Sequence, residues 1–179
     1  TTLFRSENMN EVMCRFIELA GKKPGFTLIH SAGIEGYEKM VAHLRRTVPD
    51  YEKNGMDVRE YIYDMPRVMA AADLVLCRAG ASTISELTYM HKPTIFVPSP
   101  FVTNNHQFKN AKVVEDAGGA LIFEEGWFEP KELLKAVNDI LSSDDKLEKM
   151  SAAMAKLAKP EATDMICDRI FSLLAENRK

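Results

Sequence analysis

The chain has 179 residues, which is enough for one domain with a sizeable core and too few for two ordinary domains. It is 46% hydrophobic and 27% charged, an average globular composition that argues against wholesale disorder. Its formal net charge of -3 comes without a basic run, so its charge does not predict a nucleic-acid partner.

Short apolar runs alternate with longer amphipathic segments along the chain. The apolar runs predict strands at 26–31, 58–63, 73–78, 93–99 and 119–125. The segments around them predict helices at 7–20, 32–46, 65–72, 84–91 and 104–118. After the last strand the pattern predicts only helices, at 130–141, 144–157 and 161–177.

This alternation predicts the α/β class, with a Rossmann-like parallel sheet flanked by helices. Ligands of such folds bind beyond the carboxyl ends of the strands, so we look for function after residues 31, 63, 78 and 99. The helix at 7–20 follows only "TTLF". Because the first strand of a Rossmann order is central, we expect one central strand to be missing.

The segment "CRAGASTISE" (77–86) allows two interpretations. Gly80 and its alanine neighbours add little bulk, and the unpaired amides at the start of the next helix attract a diphosphate without a metal. Alternatively, Thr83 and Glu86 have the spacing of a capping box, which would make both residues part of the helix architecture. The local sequence leaves both interpretations open.

The segment "PFVTNNHQFKNA" (100–111) is rich in hydrogen-bonding side chains at a strand's carboxyl end. It suits the hydroxyls of a sugar, although its Asn and Thr residues could simply cap the next helix. Two further loops give weaker signals. His30 lies in a small-residue turn, and "YIYDM" (61–65) could offer backbone groups to a base or form an ordinary buried strand.

Several motifs of other enzyme classes are absent from the sequence. It has no Asp-x-Asp pair for a metal–diphosphate complex, no Walker loop, no G-x-G-x-x-G and no G-x-S-x-G. Cys14 and Cys77 lie in apolar patterns typical of the core, and the three widely spaced cysteines indicate a reducing compartment. We therefore predict no metal site, no cofactor and a cytoplasmic location.

Two long segments, "YIYDMPRVMAAADLVLCRAGASTISEL" and "KPTIFVPSPFVTNNHQFKNA", resemble the carboxyl-terminal half of the MurG family of N-acetylglucosaminyltransferases. The similarity runs from about residue 7 to the end. The resemblance implies the two-domain GT-B fold, of which this chain is one half. We therefore expect residues 1–6 to be a non-native leader, residues 7–179 to bind UDP-N-acetylglucosamine, and the acceptor domain to be absent.

The resemblance also implies which residues bind the donor. Glu86 is expected to hold both ribose hydroxyls, Ile62 to contact uracil through its backbone, and Gln107 to bind the sugar hydroxyls. The complete expected set is Ile62, Arg78, Gly80, Ala81, Ser82, Thr83, Glu86, His106 and Gln107. The family's catalytic base lies in the absent domain, so no catalytic residue is expected here. The family's glycine-rich loop is also lacking, because "TTLFRS" stands in its place.

The activity that the resemblance implies is an inverting, metal-independent transfer of N-acetylglucosamine from UDP to a lipid-linked muramoyl-pentapeptide. It converts lipid I to lipid II in peptidoglycan synthesis. The parent protein is expected at the cytoplasmic face of the cell membrane, with membrane and acceptor contacts made by the absent domain. Alternatives are the donor subunit of a split two-chain transferase and a non-catalytic UDP-sugar-binding module. A UDP-N-acetylglucosamine 2-epimerase is disfavoured by the "NNHQ" run.

Overall fold

The computed structural model describes residues 3–21 and 24–176, with backbone alone for residues 3–8. The strands are β1 (Leu28–Ser31), β2 (Met56–Arg59), β3 (Val75–Cys77), β4 (Thr94–Phe96) and β5 (Ala120–Ile122). The helices are α1 (Leu3–Ala20), α2 (Ile34–Thr47), α3 (Met65–Ala71), α4 (Ala81–Tyr89), α5 (His106–Asp116), α6 (Pro130–Leu141), α7 (Asp144–Leu157) and α8 (Ala162–Glu176). Each predicted element is present.

The strands form two parallel sheets, which confirms the predicted fold class. One sheet pairs β1 with β2, and the other has the order β3-β4-β5. Leu28 is opposite Met56 in the first sheet, and Ile95 lies between Leu76 and Leu121 in the second. Within the described residues, no strand joins β1 to β3. The carboxyl ends of β3, β4 and β5 therefore meet at one edge.

Helices cover both faces of the strands. On one face α1 packs against α2 and α6, and their buried side chains, such as Phe16, Leu44 and Leu133, share a core with Ile95. On the other face α4 packs against α5 and α7, in a second core that contains Phe96. Ile95 and Phe96 point to opposite faces because side chains alternate along a strand. This arrangement is the doubly wound layering expected for the fold.

Element boundaries differ from prediction where a turn residue sets them. Strand β2 begins at Met56 rather than 58, because Gly55 makes the preceding turn with φ of 83°. It ends at Arg59, so Ile62 lies in the following loop rather than in the strand. Helix α1 begins at Leu3 rather than 7, and residues 1–2 of the expected leader lie outside the described residues.

The last helix differs from the others in its burial. Every residue of α8 is exposed, including six large apolar residues: Met165, Ile166, Ile170, Phe171, Leu173 and Leu174. By contrast, α6 buries three apolar residues of similar size, Leu133, Val137 and Ile140. In the part of the chain that the structure describes, no helix combines the length and the hydropathy needed to span a bilayer.

Candidate functional site

The amino end of α4 is open at the carboxyl edge of the three-stranded sheet. The helix begins at Ala81 with Gly80 as its N-cap, and no side chain caps it. Ala81 and Ser82 are exposed, and the first turn contains no acidic residue. The first amides of a helix have no partner within the helix and lie at the positive end of its dipole. This end can therefore receive an anion such as a phosphate.

The capping-box interpretation of Thr83 and Glu86 is wrong. Because α4 starts two residues before Thr83, this residue lies inside the first turn and cannot be the N-cap. Glu86 is exposed and lies one turn further along the helix. Residues three and four apart share a helix face, so Glu86 lies on the same face as Ser82 and Thr83. Its carboxylate therefore lies on the same side of α4 as the side chains of the first turn.

The predicted sugar-binding residues His106 and Gln107 begin α5, which follows β4, and the carboxyl end of β4 lies at the same edge as that of β3. Gln107 accepts a hydrogen bond at its Oε1 from the backbone N–H of Ser99, at 2.9 Å. The exposed His106 lies with its Nδ1 2.9 Å from the carbonyl oxygen of Thr103. Asn104 and Asn105 have φ values of 54° and 50°. Both lie in the left-handed region, which Asn tolerates well.

Two side chains tie the loop after β3 to its neighbours. Asn110 of α5 donates its Nδ2 hydrogen to the carbonyl oxygen of Ala79 at 3.4 Å, a structural contact. Arg78 donates from Nη1 to the carbonyl oxygen of Val97 at 2.9 Å and forms an ion pair with Glu125. Sequence reasoning missed Glu125, because nothing in its local pattern marks it.

The structure does not bring all the predicted residues onto one sheet. The predicted residues from Arg78 to Glu86 follow β3, and His106 and Gln107 follow the adjacent strand β4. Ile62 instead follows β2, in the two-stranded sheet. It is buried at 6% exposure, between Tyr61 and Tyr63, which are 56% and 90% exposed. The rings of these tyrosines meet edge to face with centroids 5.0 Å apart.

His30 belongs to a partly buried polar network in β1. Its Nε2 lies 3.0 Å from Oδ1 of the buried Asn10, whose Nδ2 donates to the carbonyl oxygen of Ala32 at 2.8 Å. Burial lowers the pKa of His30 to about 4, so the ring is neutral at pH 7. A Cβ on Gly36 would lie 2.2 Å from Nδ2 of Asn10, so glycine permits this packing.

The cysteines do not contribute a reactive thiolate to the edge. Burial raises the pKa of the Cys77 thiol to about 12. Burial also raises the pKa of Cys14, and the nearby carboxylates of Glu18 and Glu11 add to the effect. Among the described residues, no three His, Cys, Asp or Glu side chains are grouped so that they could hold a metal ion.

Curated relatives of the chain are bacterial N-acetylglucosamine transferases. The enzyme of Desulforamulus reducens, named UDP-N-acetylglucosamine–N-acetylmuramyl-(pentapeptide) pyrophosphoryl-undecaprenol N-acetylglucosamine transferase, is 31% identical over 170 residues, covering 94% of this chain and 46% of the relative. The enzyme of the same name from Anaeromyxobacter dehalogenans is 43% identical over 118 residues, covering 66% of this chain and 31% of the relative. The chain thus spans at most about half the length of these relatives.

Solved structures show the same likeness. The crystal structure of MurG from Acinetobacter baumannii has a TM-score of 0.79 at 28% identity, covering 93% of this chain and 48% of that one. A kitacinnamycin glycosyltransferase has a TM-score of 0.61 at 22% identity, which shows the fold alone. The glycosyltransferase family 28 C-terminal domain matches residues 6–166. The chain therefore belongs to the family of glycosyltransferase family 28 C-terminal domains.

Proposed function

We propose that this chain is the donor-binding half of an inverting, metal-independent transferase that uses UDP-N-acetylglucosamine. The observation that carries the proposal is the uncapped amino end of α4, with the exposed carboxylate of Glu86 on the same helix face. The first feature suits a diphosphate, and the second suits the two adjacent hydroxyls of a ribose. Together they match the diphosphate and the ribose of a nucleoside diphosphate sugar.

Each part of the donor then has a binding partner. The amides of Ala81, Ser82 and Thr83 bind the diphosphate, and Gly80 leaves room for it because it lacks a side chain. Glu86 accepts hydrogen bonds from both ribose hydroxyls. Since Oε1 of Gln107 already accepts from Ser99, its amide nitrogen is the group that donates to a sugar oxygen.

The remaining predicted contacts complete the site. The backbone of Ile62 binds the uracil edge, beyond the end of β2, and the exposed ring of His106 lies beside the sugar. During transfer, the amino end of α4 stabilises the negative charge that develops on the leaving UDP. The preorganised amides thus act where charge appears, and the mechanism needs no metal.

The rest of the reaction belongs to the other half of the proposed enzyme. That half supplies the catalytic base and binds the lipid-linked muramoyl-pentapeptide at the cytoplasmic face of the membrane. The relatives are named for this pentapeptide–pyrophosphoryl-undecaprenol acceptor, and they are about twice as long as this chain. We therefore expect the chain alone to bind the donor weakly and to transfer no sugar.

Calorimetric titration of UDP-N-acetylglucosamine and UDP into the chain tests the proposal. We expect both to bind, and Glu86→Ala to weaken both by at least about 1 kcal/mol, because a charged acceptor of two hydrogen bonds is lost. Glu148→Ala changes an exposed glutamate on α7 and should leave both affinities unchanged. A folded chain that binds neither ligand, or equal affinities for the chain and Glu86→Ala, would contradict the donor site.

A further inference from the structure

Arg78 connects the carboxyl ends of three strands. It follows β3 directly, donates to the carbonyl oxygen of Val97 just beyond β4, and pairs with Glu125 in the loop after β5. The last backbone bonds of the sheet lie one step earlier: Val97 N–H donates to Cys77 at 2.9 Å, and Phe123 N–H donates to Phe96 at 2.9 Å. The guanidinium thus adds one more row of cross-strand contacts.

The pair is shielded from solvent. The side chain of Glu125 is 8% exposed and that of Arg78 is 24% exposed. In contrast, the side chains of Lys149 and Asp145, an ion pair on α7, are 74% and 71% exposed. Exposed pairs contribute little to stability, whereas breaking a buried pair leaves an uncompensated charge. Arg78 and Glu125 are therefore strongly dependent on each other.

The position of Arg78 makes this pair relevant to the site. Only Ala79 separates it from Gly80, the N-cap of α4, so the direction in which the chain enters the helix depends on where Arg78 is held. The planar guanidinium fixes its partners in one geometry, which a flexible ammonium does not. Asn110 donates to the carbonyl oxygen of Ala79 in the same segment. Two side chains therefore hold the segment that leads into α4.

We propose that Arg78 and Glu125 act as a positioning pair: they fix the loop before α4 so that its amides converge on the donor diphosphate. In this role Arg78 acts through the loop instead of binding the diphosphate, although the family resemblance implies that it is a donor ligand. The inference rests on the proposed function, because it assigns the pair to the same donor site.

The two roles of Arg78 differ in the effect expected from Glu125→Gln. If Arg78 binds the diphosphate directly, removing the opposing carboxylate frees its positive charge, and affinity for UDP rises or stays the same. If Arg78 positions the loop, the same change loosens the loop and affinity falls. Uridine separates the two parts of the ligand, because it lacks the diphosphate that the loop binds.

The test is calorimetric titration of UDP and uridine into the unsubstituted chain and four variants: Arg78→Lys, Arg78→Met, Glu125→Gln and the double variant Arg78→Met/Glu125→Gln. We expect Arg78→Lys and Glu125→Gln each to lower UDP affinity about tenfold or more and to change uridine affinity less than twofold. The double variant should lose no more than Arg78→Met alone, because the unpaired carboxylate is gone as well. Asp145→Asn makes the same chemical change in the exposed pair and should alter neither affinity.

Amide hydrogen exchange on the ligand-free proteins tests the positioning independently of donor binding. We expect faster exchange at residues 79–83 in Arg78→Lys and Glu125→Gln, with unchanged exchange in β1 and β2. This readout applies even if UDP does not bind, an outcome that would contradict the proposed function alone. The double variant carries no buried unpaired charge, so it serves if a single variant fails to fold.

Three results would overturn the positioning role. Tighter or unchanged UDP binding by Glu125→Gln, with strong loss in Arg78→Met, would make Arg78 a direct ligand. Equal losses for UDP and uridine would show a general structural role. Unchanged exchange at residues 79–83 in both folded single variants would show that the pair does not hold the loop.

Discussion

Two segments of this fold have similar sequences but different organisation. The segment "HSAG", which ends β1, and the segment "RAGA", which follows β3, both lead from a parallel strand through small residues into a helix. In the first segment, Asn10 of α1 lies within hydrogen-bonding distance of His30 and donates to the carbonyl oxygen of Ala32. The same side chain packs closely against Gly36. Neither α2 nor α4 has a side chain that caps its amino end. In the second segment, Arg78 instead pairs with a carboxylate and donates to a backbone carbonyl.

The first turns of α2 and α4 differ in charge. Glu35 lies in the first turn of α2, where its carboxylate complements the positive end of the helix dipole. The first turn of α4 has no acidic residue. An anion approaching α2 would therefore meet a negative charge that is absent at the start of α4. Small residues after a strand indicate a turn, and their surroundings determine whether it can bind a ligand.

We expect the stability of the fold to depend strongly on pH through His30 in β1. The pKa of His30 falls from 6.5 to about 4 on burial, so between these values the unfolded chain binds a proton that the folded chain does not. The free energy of unfolding is therefore greatest above pH 6.5, and it decreases by about 3 kcal/mol as the pH falls towards 4. Denaturant unfolding from pH 7 to pH 4 measures it.

Two variants isolate this contribution to the pH dependence. His30→Gln should flatten the stability profile between pH 4 and 6.5, because the titrating group is gone. His91→Asn changes an exposed histidine with a φ of 54°, a conformation that Asn tolerates. It should keep the stability profile of the unsubstituted chain. If His30→Gln retained the full slope, the burial of a neutral His30 would be wrong.

Gly36→Ala should destabilise the fold by about 2 kcal/mol. The added Cβ would lie 2.2 Å from Nδ2 of Asn10, so the side chain must leave the carbonyl of Ala32 and a buried hydrogen bond is lost. In the Asn10→Ala background the clash is absent, so the same substitution should stabilise α2 by up to about 1 kcal/mol. Chemical denaturation of the four proteins of this cycle measures both values, and equal effects in the two backgrounds would exclude the contact.

Local sequence rules predicted the elements whose boundaries depend on nearby residues. Helix α6 begins and ends as predicted, since Pro130 starts it and the carboxylate of Glu132 accepts from the N–H of Glu129 at 2.8 Å. Helix α7 also matches, with Ser143 as its N-cap. The start of α4 was not predicted, because a capping pattern at Thr83 and Glu86 occurs inside the helix.

Contacts between distant residues could not be predicted from local pattern. Glu125 is 47 residues along the chain from Arg78, and its pairing depends on the order of β3, β4 and β5. Asn10 and His30 meet only because α1 packs beside β1. The donor-site residues were expected through family resemblance, whereas the missing cap of α4 and the hydrogen-bonded partners of His30 required the structure.

We expect a substitution at Ser82 to have small effects of opposite sign on stability and on UDP binding. Ser82→Asp should stabilise α4 by about 0.5 kcal/mol, because the new carboxylate complements the helix dipole. It should also lower UDP affinity about fivefold, through repulsion of the diphosphate at about 4 Å in water. Ile34→Asp makes a similar change at the exposed start of α2 and should leave UDP affinity unchanged. Thermal unfolding and calorimetry measure the two quantities, and unchanged UDP affinity in Ser82→Asp would place the diphosphate elsewhere.

An NMR titration of the ¹⁵N-labelled chain with UDP tests directly whether the donor binds at the amino end of α4. It compares the amides of residues 80–83 with those of residues 31–36, at the starts of α4 and α2. We expect the largest shift changes at 80–83 and at Glu86, with little change at 31–36. The largest changes at 31–36, or none at 80–83 at saturating UDP, would contradict a donor site at the amino end of α4.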